Sequence, residues 1–394
     1  MPTVMSTGAS NLGAGNAAVT QATRKALDGL AGAKPRFGFL FASPEVDLAA
    51  GLAAARAATG AEVIGCWTAG QFTEKSALSH AGVTVGLISA EVTTKVGYAS
   101  GLREGPERVA GQLTEGLAEV KARAAARDHR HLTTTLLTDG LAGTGEKLLH
   151  HLYEGRVQSG TQFVGGAAGD EGRFVATHVG AGDKASPDAA AALHVFGARP
   201  WAVGVGHGLQ PTGKPMRVTK AEGNVVHEIA GEPAFTVYQR HAEARGVRLT
   251  RDNAGPYLIE NELGIHFFDK ISRARAPLSV GQDGSLACAA DIPKGSMVSI
   301  LQGEPDSMVR AASSAARDAR TRLGDAAPAG VIVFDCVCRG MILKDRFDRE
   351  IDAVRNVFPG APILGFLTYG EIARSNEQLE GWHNTTAVVV AIPA

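Results

Sequence analysis

Two charged residues near the end of the chain follow apolar, strand-like segments: Arg339 and Glu371. Arg339 comes shortly after the run at 331–336, and Glu371 comes directly after a glycine turn that ends the run at 363–367. Because a guanidinium binds carboxylates and a carboxylate binds amines, the pair suits an amino acid or a related small polar molecule. A structural ion pair that fixes two loops is the alternative explanation.

Polar residues and glycines form the rest of the predicted ligand-binding set. The set near Arg339 consists of Cys338, Thr368, Tyr369, Gly370 and Asn384. An earlier set with matching residue types consists of Cys66, Thr68, Gly70, Gly165, Gly166 and Asp170. Hydroxyl and amide groups can orient a ligand, and glycines admit it against bare backbone whose amides bind anions. For each single glycine, a turn or a sheet contact is the alternative.

The cysteines and histidines suggest two other possible functions for the protein. A thiol such as Cys66 or Cys338 with an acidic partner would suit a cysteine-dependent hydrolase, provided that its pKa is lowered. His207 lies between two glycines at a strand end, where an imidazole with an apolar slot beside it would serve as an axial haem ligand. A hydrogen-bonded loop histidine is the alternative explanation, and His194 and His383 are weaker candidates for the same role. The Cys336-x-Cys338 pair lacks the second ligand pair of a structural zinc site.

Residues 140–147 (GLAGTGEK) imitate a phosphate-binding P-loop. The lysine is one place late and no Ser or Thr follows it, so the groups that hold phosphate and magnesium are missing. A helix start explains the segment. No nucleophile elbow, zinc-protease helix or dinucleotide fingerprint occurs elsewhere, and the sequence predicts a protein that is not an enzyme.

The elements that would position these residues repeat three times. Each unit is a strand, a helix, a strand ending in a glycine turn, and another strand; the turns are 65–70 (GCWTAG), 165–169 (GGAAG) and 365–370 (GFLTYG). The pattern predicts an α/β fold with mixed, partly parallel sheets built from repeated strand-helix-strand-strand units in two packed halves. In such sheets ligands bind at the carboxyl ends of the strands, where the turns would lie.

Connecting segments complete the predicted organisation. Apolar residues at helical spacing predict packing helices over 109–120 and 308–315, and alternation about Gly223 predicts a hairpin at 216–229. The predicted divisions are an N-terminal segment and helix at 1–30, an N-terminal half at 31–230 and a C-terminal half at 231–394.

Composition limits the classes of partner. A chain of 394 residues with 44% hydrophobic and 20% charged residues is an ordinary globular protein of two to three domains. Its net charge of -1 argues against nucleic acid. Its apolar runs are shorter than the roughly 20 residues of a membrane span, and its start lacks a secretion signal, so we expect a cytoplasmic protein without membrane insertion.

Over residues 35–394 the chain resembles the FIST family of bacterial sensory proteins, which have an N-terminal and a C-terminal domain. The resemblance lies in the stretches at 64–70, 137–140, 164–170, 218–224, 338–340, 365–372 and 383–386. It implies an intracellular sensor of small molecules such as amino acids. The candidate ligand-binding residues fall largely within these stretches.

The same resemblance leaves the ligand and the output open. Some similar proteins bind haem and report nitric oxide to a histidine kinase, which makes a haem sensor using His207 the first alternative. FIST domains are often fused to output domains, and this chain has no room for one. The resemblance therefore implies a sensor that acts on a separate signalling protein such as a histidine kinase. A homodimer is compatible with the sequence.

Overall fold

The structure is a computed structural model that describes residues 2–12, 15–154, 161–268, 270–374 and 381–394. Its helices are α1 (Asn16–Gly29), α2 (Leu48–Thr59), α3 (Pro106–Thr114), α4 (Leu117–Ala125), α5 (Gly145–Tyr153), α6 (Ala234–Glu243), α7 (Ala254–Glu260), α8 (Pro305–Arg322), α9 (Val337–Leu343) and α10 (Asp348–Val357). Among the described residues, no helix is long and apolar enough to cross a membrane.

The strands fall into four sheets. Those up to residue 206 are β1 (Val4–Ser10), β2 (Phe37–Ala42), β3 (Glu62–Trp67), β4 (Gln71–Thr73), β5 (Ser76–Ser79), β6 (Val83–Ser89), β7 (Thr93–Ser100), β8 (His131–Thr138), β9 (Gln162–Ala167), β10 (Val179–Ala181), β11 (Lys184–Ser186), β12 (Ala189–Gly197) and β13 (Ala202–Gly206). The later ones are β14 (Gln210–Pro211), β15 (Met216–Glu222), β16 (Val225–Ile229), β17 (Glu232–Pro233), β18 (Asn261–Phe267), β19 (Lys270–Arg275), β20 (Pro277–Val280), β21 (Leu286–Cys288), β22 (Met297–Gln302), β23 (Pro328–Cys336), β24 (Ile363–Thr368), β25 (Glu371–Arg374), β26 (Trp382–His383) and β27 (Ala387–Pro393).

Three of the sheets repeat one topology, and the predicted α/β fold with repeated units is confirmed. In each, a first strand pairs in parallel with the strand after its helix and antiparallel with the closing strand, giving the orders β6-β2-β3, β12-β8-β9 and β27-β23-β24. Helices cross between the parallel strands, as such connections require. Each sheet has one further strand beyond the closing strand, namely β1, β7 or β13.

In each unit, the strand after the glycine turn pairs with a strand in another unit's sheet. Strand β4 of the first unit pairs with β24 of the third, β25 of the third with β9 of the second, and β10 of the second with β3 of the first. The exchange is cyclic. The three units are consequently interlocked, and each six-stranded sheet contains chain from two of them.

The fourth sheet is an insertion in the third unit. Its nine strands, β14 to β22, lie between β13 and α8 and have the order β19-β18-β22-β15-β16-β21-β20, with β14 on β22 and β17 on β16. The predicted hairpin at 216–229 is its β15–β16 pair. The predicted division at residues 230 and 231 therefore falls inside this sheet, and residues 4–29 belong to the first unit as β1 and α1.

A shared apolar core holds the three units together. Phe41 of the first unit and Phe366 of the third have ring centroids 4.3 Å apart, and Val164 of the second lies in the same buried cluster. Burial of each such side chain contributes about 1.5–3 kcal/mol. The packing helix predicted over 109–120 is broken into α3 and α4, because Gly116 adopts the left-handed conformation (φ 67°) that ends a helical run.

Candidate functional site

The three glycine turns meet at the carboxyl ends of the parallel strands. Backbone hydrogen bonds join them in a ring: Ala69 N donates to Leu367 O (3.0 Å), Gly169 N to Trp67 O (3.0 Å) and Tyr369 N to Ala167 O (3.1 Å). The ring brings together several predicted site residues, namely Thr68, Gly70, Asp170, Thr368, Tyr369 and Gly370. Turns that are 100 to 300 residues apart in sequence thus form one structure.

The predicted glycines are packed against protein atoms. A Cβ atom at Gly165 would lie 1.9 Å from Leu136 O, and its φ of 148° is one that other residues rarely adopt. A Cβ at any of the other three would meet a side chain within 3 Å; these are Gly70, Gly166 and Gly370. The geometry favours the structural explanation for each single glycine, namely close approach of neighbouring turns and strands.

Glu371 fixes its own turn in the structure. Its Oε1 accepts a hydrogen bond from Thr368 Oγ1 (2.5 Å) and its Oε2 accepts one from Thr386 N (3.1 Å). The first unit has the same contact between Thr68 Oγ1 and Gln71 Oε1 (2.6 Å), with a neutral amide in place of the acid. Burial raises the pKa of Glu371 well above its usual range and so disfavours the charged form. Amine binding by Glu371 stays a prediction.

Arg339 lies in α9 and is fully buried in an ion-pair cluster. Its Nε and Nη2 donate to Glu350 Oε1 (2.7 and 2.5 Å), and Nε lies 3.0 Å from Asp335 Oδ1. The remaining donors go to backbone carbonyls of His207, Met308 and Thr385. Because protein acceptors occupy the guanidinium, the geometry favours a structural ion pair over binding of a ligand carboxylate.

The other predicted residues are also buried. Cys66 lies in the shared core, and burial raises the pKa of its thiol well above the usual value. Cys338 lies in the first turn of α9, not on a strand beside Cys336, because β23 ends at Cys336. The amide Oδ1 of Asn384 is buried and has no hydrogen-bond partner among the described residues. None of these three side chains lines the cleft described below.

Tyr369 and Asp170 form a direct link between two turns. The phenol donates to Asp170 Oδ1, and the same carboxylate accepts backbone N–H bonds from Phe174, Val175 and Ala176 (2.7–3.0 Å). The Tyr369 and Phe174 rings are stacked with centroids 4.6 Å apart. These hydrogen bonds hold the pKa of Asp170 below its usual value despite burial. The loop after the second glycine turn is therefore fastened to the third unit.

A narrow cleft opens beside Tyr369, between the second unit and the fourth sheet. One wall is the loop and first turn of α5, and the other is the β15–β16 turn with the segment after β21; the lining residues that carry polar or aromatic groups are Asp139, Glu146, Lys147, Asn224, Asp291, Tyr369 and Trp382. Its volume is about 40 Å³, little more than the share of one water molecule in the liquid. We refer to it as the inter-domain cleft.

Ion pairs join α5 to the fourth sheet beside the inter-domain cleft. Glu146 Oε1 of α5 lies 3.0 Å from Arg275 Nη2 and 3.3 Å from Arg273 Nη1, both on β19. Arg275 is fully buried and also donates to the backbone oxygens of Asp291 (3.2 Å) and Trp382 (3.3 Å). Widening of the cleft would therefore move or break the Glu146 contacts.

Comparison with protein families gives two matches. The FIST N domain matches residues 36–232 and the FIST C domain matches residues 234–374. The chain belongs to the FIST family. FIST domains are small-ligand sensory domains of signal transduction. No curated protein matches the chain.

The cleft lies between the two FIST domains, since Lys147 and Asn224 fall in the FIST N match and Asp291 and Tyr369 in the FIST C match. Tyr369 is the lining residue that the sequence also predicted as a ligand-binding residue. Lys147 belongs to the P-loop-like segment and Asn224 to the predicted hairpin turn. No motif in the sequence indicated Asp291 or Trp382 as site residues, because their proximity depends on contacts between distant segments.

A haem in this FIST protein would need an accessible imidazole beside an apolar slot. His207 Nδ1 accepts a hydrogen bond from Leu209 N (3.0 Å), and the side chain is half-buried. A Cβ at the flanking Gly206 or Gly208 would lie 2.7 Å from a backbone oxygen of α8. The helix therefore packs directly on this loop, and the described residues around His207 do not fit a haem.

The weaker histidine candidates are also held by protein groups. Both ring nitrogens of His194 are within hydrogen-bond distance of protein oxygens, at Thr134 Oγ1 (2.8 Å) and Leu113 O (3.1 Å). His383 Nε2 lies 3.2 Å from Ala373 O. Burial lowers the pKa of both imidazoles to about 4, so they are neutral near pH 7.

Replacement of the buried Glu262 is expected to change how stability depends on pH. Burial raises its pKa to about 8, although Thr385 Oγ1 donates to it and Arg275 and Arg339 are near. The folded protein then keeps a proton that the unfolded chain loses near pH 4.5, and stability falls as pH rises through about 8. We expect Glu262→Gln to gain stability relative to the wild type between about pH 5 and about pH 9.

The measurement is the free energy of unfolding in urea at both pH values. Glu260→Gln is the matched control, because this side chain is exposed and lies two residues away. Equal pH dependence of the wild type and Glu262→Gln would show that Glu262 is ionised in the folded protein.

Proposed function

We propose that this protein senses a small polar molecule that binds in the inter-domain cleft. The observation that supports the proposal is that the two walls of the cleft belong to different domains. One wall belongs to the FIST N domain and the other largely to the FIST C domain. A ligand held between them would change how the two domains are arranged. Sensory function requires such a link between occupancy and shape.

The exposed groups of the cleft suit a molecule with both a positive and a negative charge. Lys147 and Asp291 are exposed, and neither side chain has an ion-pair partner among the described residues. Lys147 would bind a carboxylate, and Asp291 with the amide oxygen of Asn224 would bind an ammonium group. Tyr369 and Trp382 add aromatic surface. An amino acid has this combination, which moves the predicted anchor roles from Arg339 and Glu371 to Lys147 and Asp291.

Binding would require the cleft to open. A cleft of about 40 Å³ is far smaller than the roughly 300 Å³ of the smallest usual ligand pockets. The Glu146 contacts with Arg273 and Arg275 hold the closed arrangement. A ligand that binds only the open form would shift the population towards it and alter the surface offered to a signalling protein such as a histidine kinase.

A role without catalysis is part of this proposal, as is action in the cytoplasm. Burial raises the pKa of Cys66 and Cys336 well above the usual value, and that of Cys288 to about 12. A nucleophilic cysteine needs the opposite shift and an exposed sulfur. These thiols therefore support a binding protein over a cysteine-dependent hydrolase.

Loss of the two cleft charges is expected to weaken ligand binding without loss of the fold. A panel of amino acids and amines is screened by thermal shift, and each hit is measured by titration calorimetry. For a hit, Lys147→Ala/Asp291→Ala should raise the Kd at least about tenfold, which corresponds to about 1.4 kcal/mol. The control Lys121→Ala/Asp325→Ala removes two exposed charges elsewhere. A hit that binds the cleft variant as tightly as the wild type would refute the site.

A further inference from the structure

A second pocket lies at the opposite end of the parallel strands from the glycine turns. It is formed where the chain passes between units: the β6–β7 turn at 90–92, the β12–β13 turn at 197–201, the segment after α4 at 127–129, and the end of β27. Its volume is about 400 Å³, which falls within the usual range of ligand pockets. We refer to it as the inter-unit pocket.

The floor of the inter-unit pocket is apolar and fixed. Phe37 and Trp201 are 1% and 6% exposed, and their rings are stacked at an angle of 21° with centroids 6.1 Å apart. Val195 and Ile392, each 2% exposed, complete it. Because all four belong to the shared core or its edge, the floor is preformed, and a small part of each side chain is left for apolar contact with a ligand.

The rim carries two arginines. Arg127 and Arg199 are exposed, and neither side chain has a hydrogen-bond or ion-pair partner among the described residues. Two acids also line the pocket, Glu91 and Asp128, and Asp128 is paired with Arg130 (2.6 Å). An unpaired guanidinium presents a planar fork of donors that matches a carboxylate.

We propose that the inter-unit pocket is a second ligand site, which binds a small amphipathic anion: a flat apolar ring that carries a carboxylate. The ring would contact the accessible part of Trp201 on the floor, and the carboxylate would be held by Arg127 and Arg199. Burial of the ring supplies apolar contact, while the arginines select the charge. This ligand class differs from the doubly charged molecule proposed for the inter-domain cleft.

The position of the pocket separates it from the other site. Its walls include both turns that connect consecutive units, so an occupant contacts all three units at once. The inter-domain cleft lies at the other end of the same strands. A ligand in the inter-unit pocket would therefore bind whether or not the cleft is occupied, and the two sites can be tested separately.

The test compares three single-ring probes by ligand-observed NMR and by titration calorimetry: phenylacetate, phenethylamine and benzyl alcohol. We expect phenylacetate to bind the full chain with a Kd below about 10 mM, and the amine and the alcohol at least about tenfold more weakly. Absence of phenylacetate binding, or tighter binding of the amine or the alcohol, would overturn the proposal.

Variants locate the binding. Arg127→Glu/Arg199→Glu should weaken phenylacetate binding at least about tenfold, whereas Arg123→Glu, an exposed arginine in the last turn of α4, should leave it unchanged. Trp201→Phe keeps an aromatic floor and should reduce affinity less than the double reversal does. The cleft variant Lys147→Ala/Asp291→Ala should bind phenylacetate normally. Loss of binding in that variant, with retention in the arginine reversal, would place the anion in the cleft and not here.

Discussion

Replacement of Arg339 by methionine is expected to lower the free energy of unfolding by about 3–5 kcal/mol. The guanidinium is the cation of a buried cluster with Asp335 and Glu350, which are 1% and 2% exposed. Its loss leaves two carboxyl groups without a counterion and removes the hydrogen bonds that the side chain donates to three backbone carbonyls. Desolvation already raises the pKa of Asp335, and loss of Arg339 would raise it further. Urea unfolding followed by circular dichroism measures the change.

An exposed ion pair serves as the control that distinguishes the effect of burial from the effect of charge. Arg349 Nη1 lies 2.8 Å from Asp306 Oδ1, with side chains 51% and 64% exposed. Because exposed pairs contribute little, Arg349→Met should change stability by less than about 1 kcal/mol. Addition of Asp335→Asn to Arg339→Met should restore part of the loss, since it removes one uncompensated acid. A stable Arg339→Met protein that has lost ligand affinity would instead restore Arg339 as a ligand anchor.

Gly165→Ala is expected to prevent correct folding or to cost several kcal/mol of stability. The added Cβ would lie 1.9 Å from Leu136 O on the adjacent parallel strand, and the backbone φ of 148° is strained for any residue with a side chain. Backbone atoms cannot move aside as a side chain can, so β8 and β9 would have to separate. The second unit's sheet would lose its central pairing.

The yield of soluble protein and the melting temperature test this expectation. Gly213→Ala is the control, because a Cβ there meets no atom within 4 Å and the residue is exposed. Its melting temperature should stay close to that of the wild type. A Gly165→Ala protein with an unchanged melting temperature would show that the two strands can accommodate the methyl group.

Much of the fold can be predicted from local pattern. Apolar runs, helical spacing and recurring glycine turns predicted three strand-helix-strand-strand units, and the structure confirms them because each run is buried on both faces of a sheet. The cyclic strand exchange could not be predicted. Short strands such as β4 and β10 carry no signal of their partner, since pairing across about 290 or 115 residues depends on tertiary packing.

The surroundings of the candidate site residues also could not be predicted from the sequence. Sequence singled out Arg339 and Glu371 by residue type, but type alone does not tell whether a charge meets a ligand or a protein group. Asp335 is four residues before Arg339, a spacing that allows an ion pair near a helix start, and Glu350 completes the cluster from α10. Asp291 reaches the inter-domain cleft only because the inserted sheet packs beside the second unit.

The cyclic strand exchange has a consequence for how the chain reaches its native state. The first unit's β4 cannot find its partner β24 until residues near 364 have been synthesised. Until then, edges of the first two sheets remain open to non-native pairing. Contacts between segments so distant in sequence slow folding and prolong exposure to aggregation. We therefore expect slow refolding at high dilution and a strong dependence of yield on chaperones during expression.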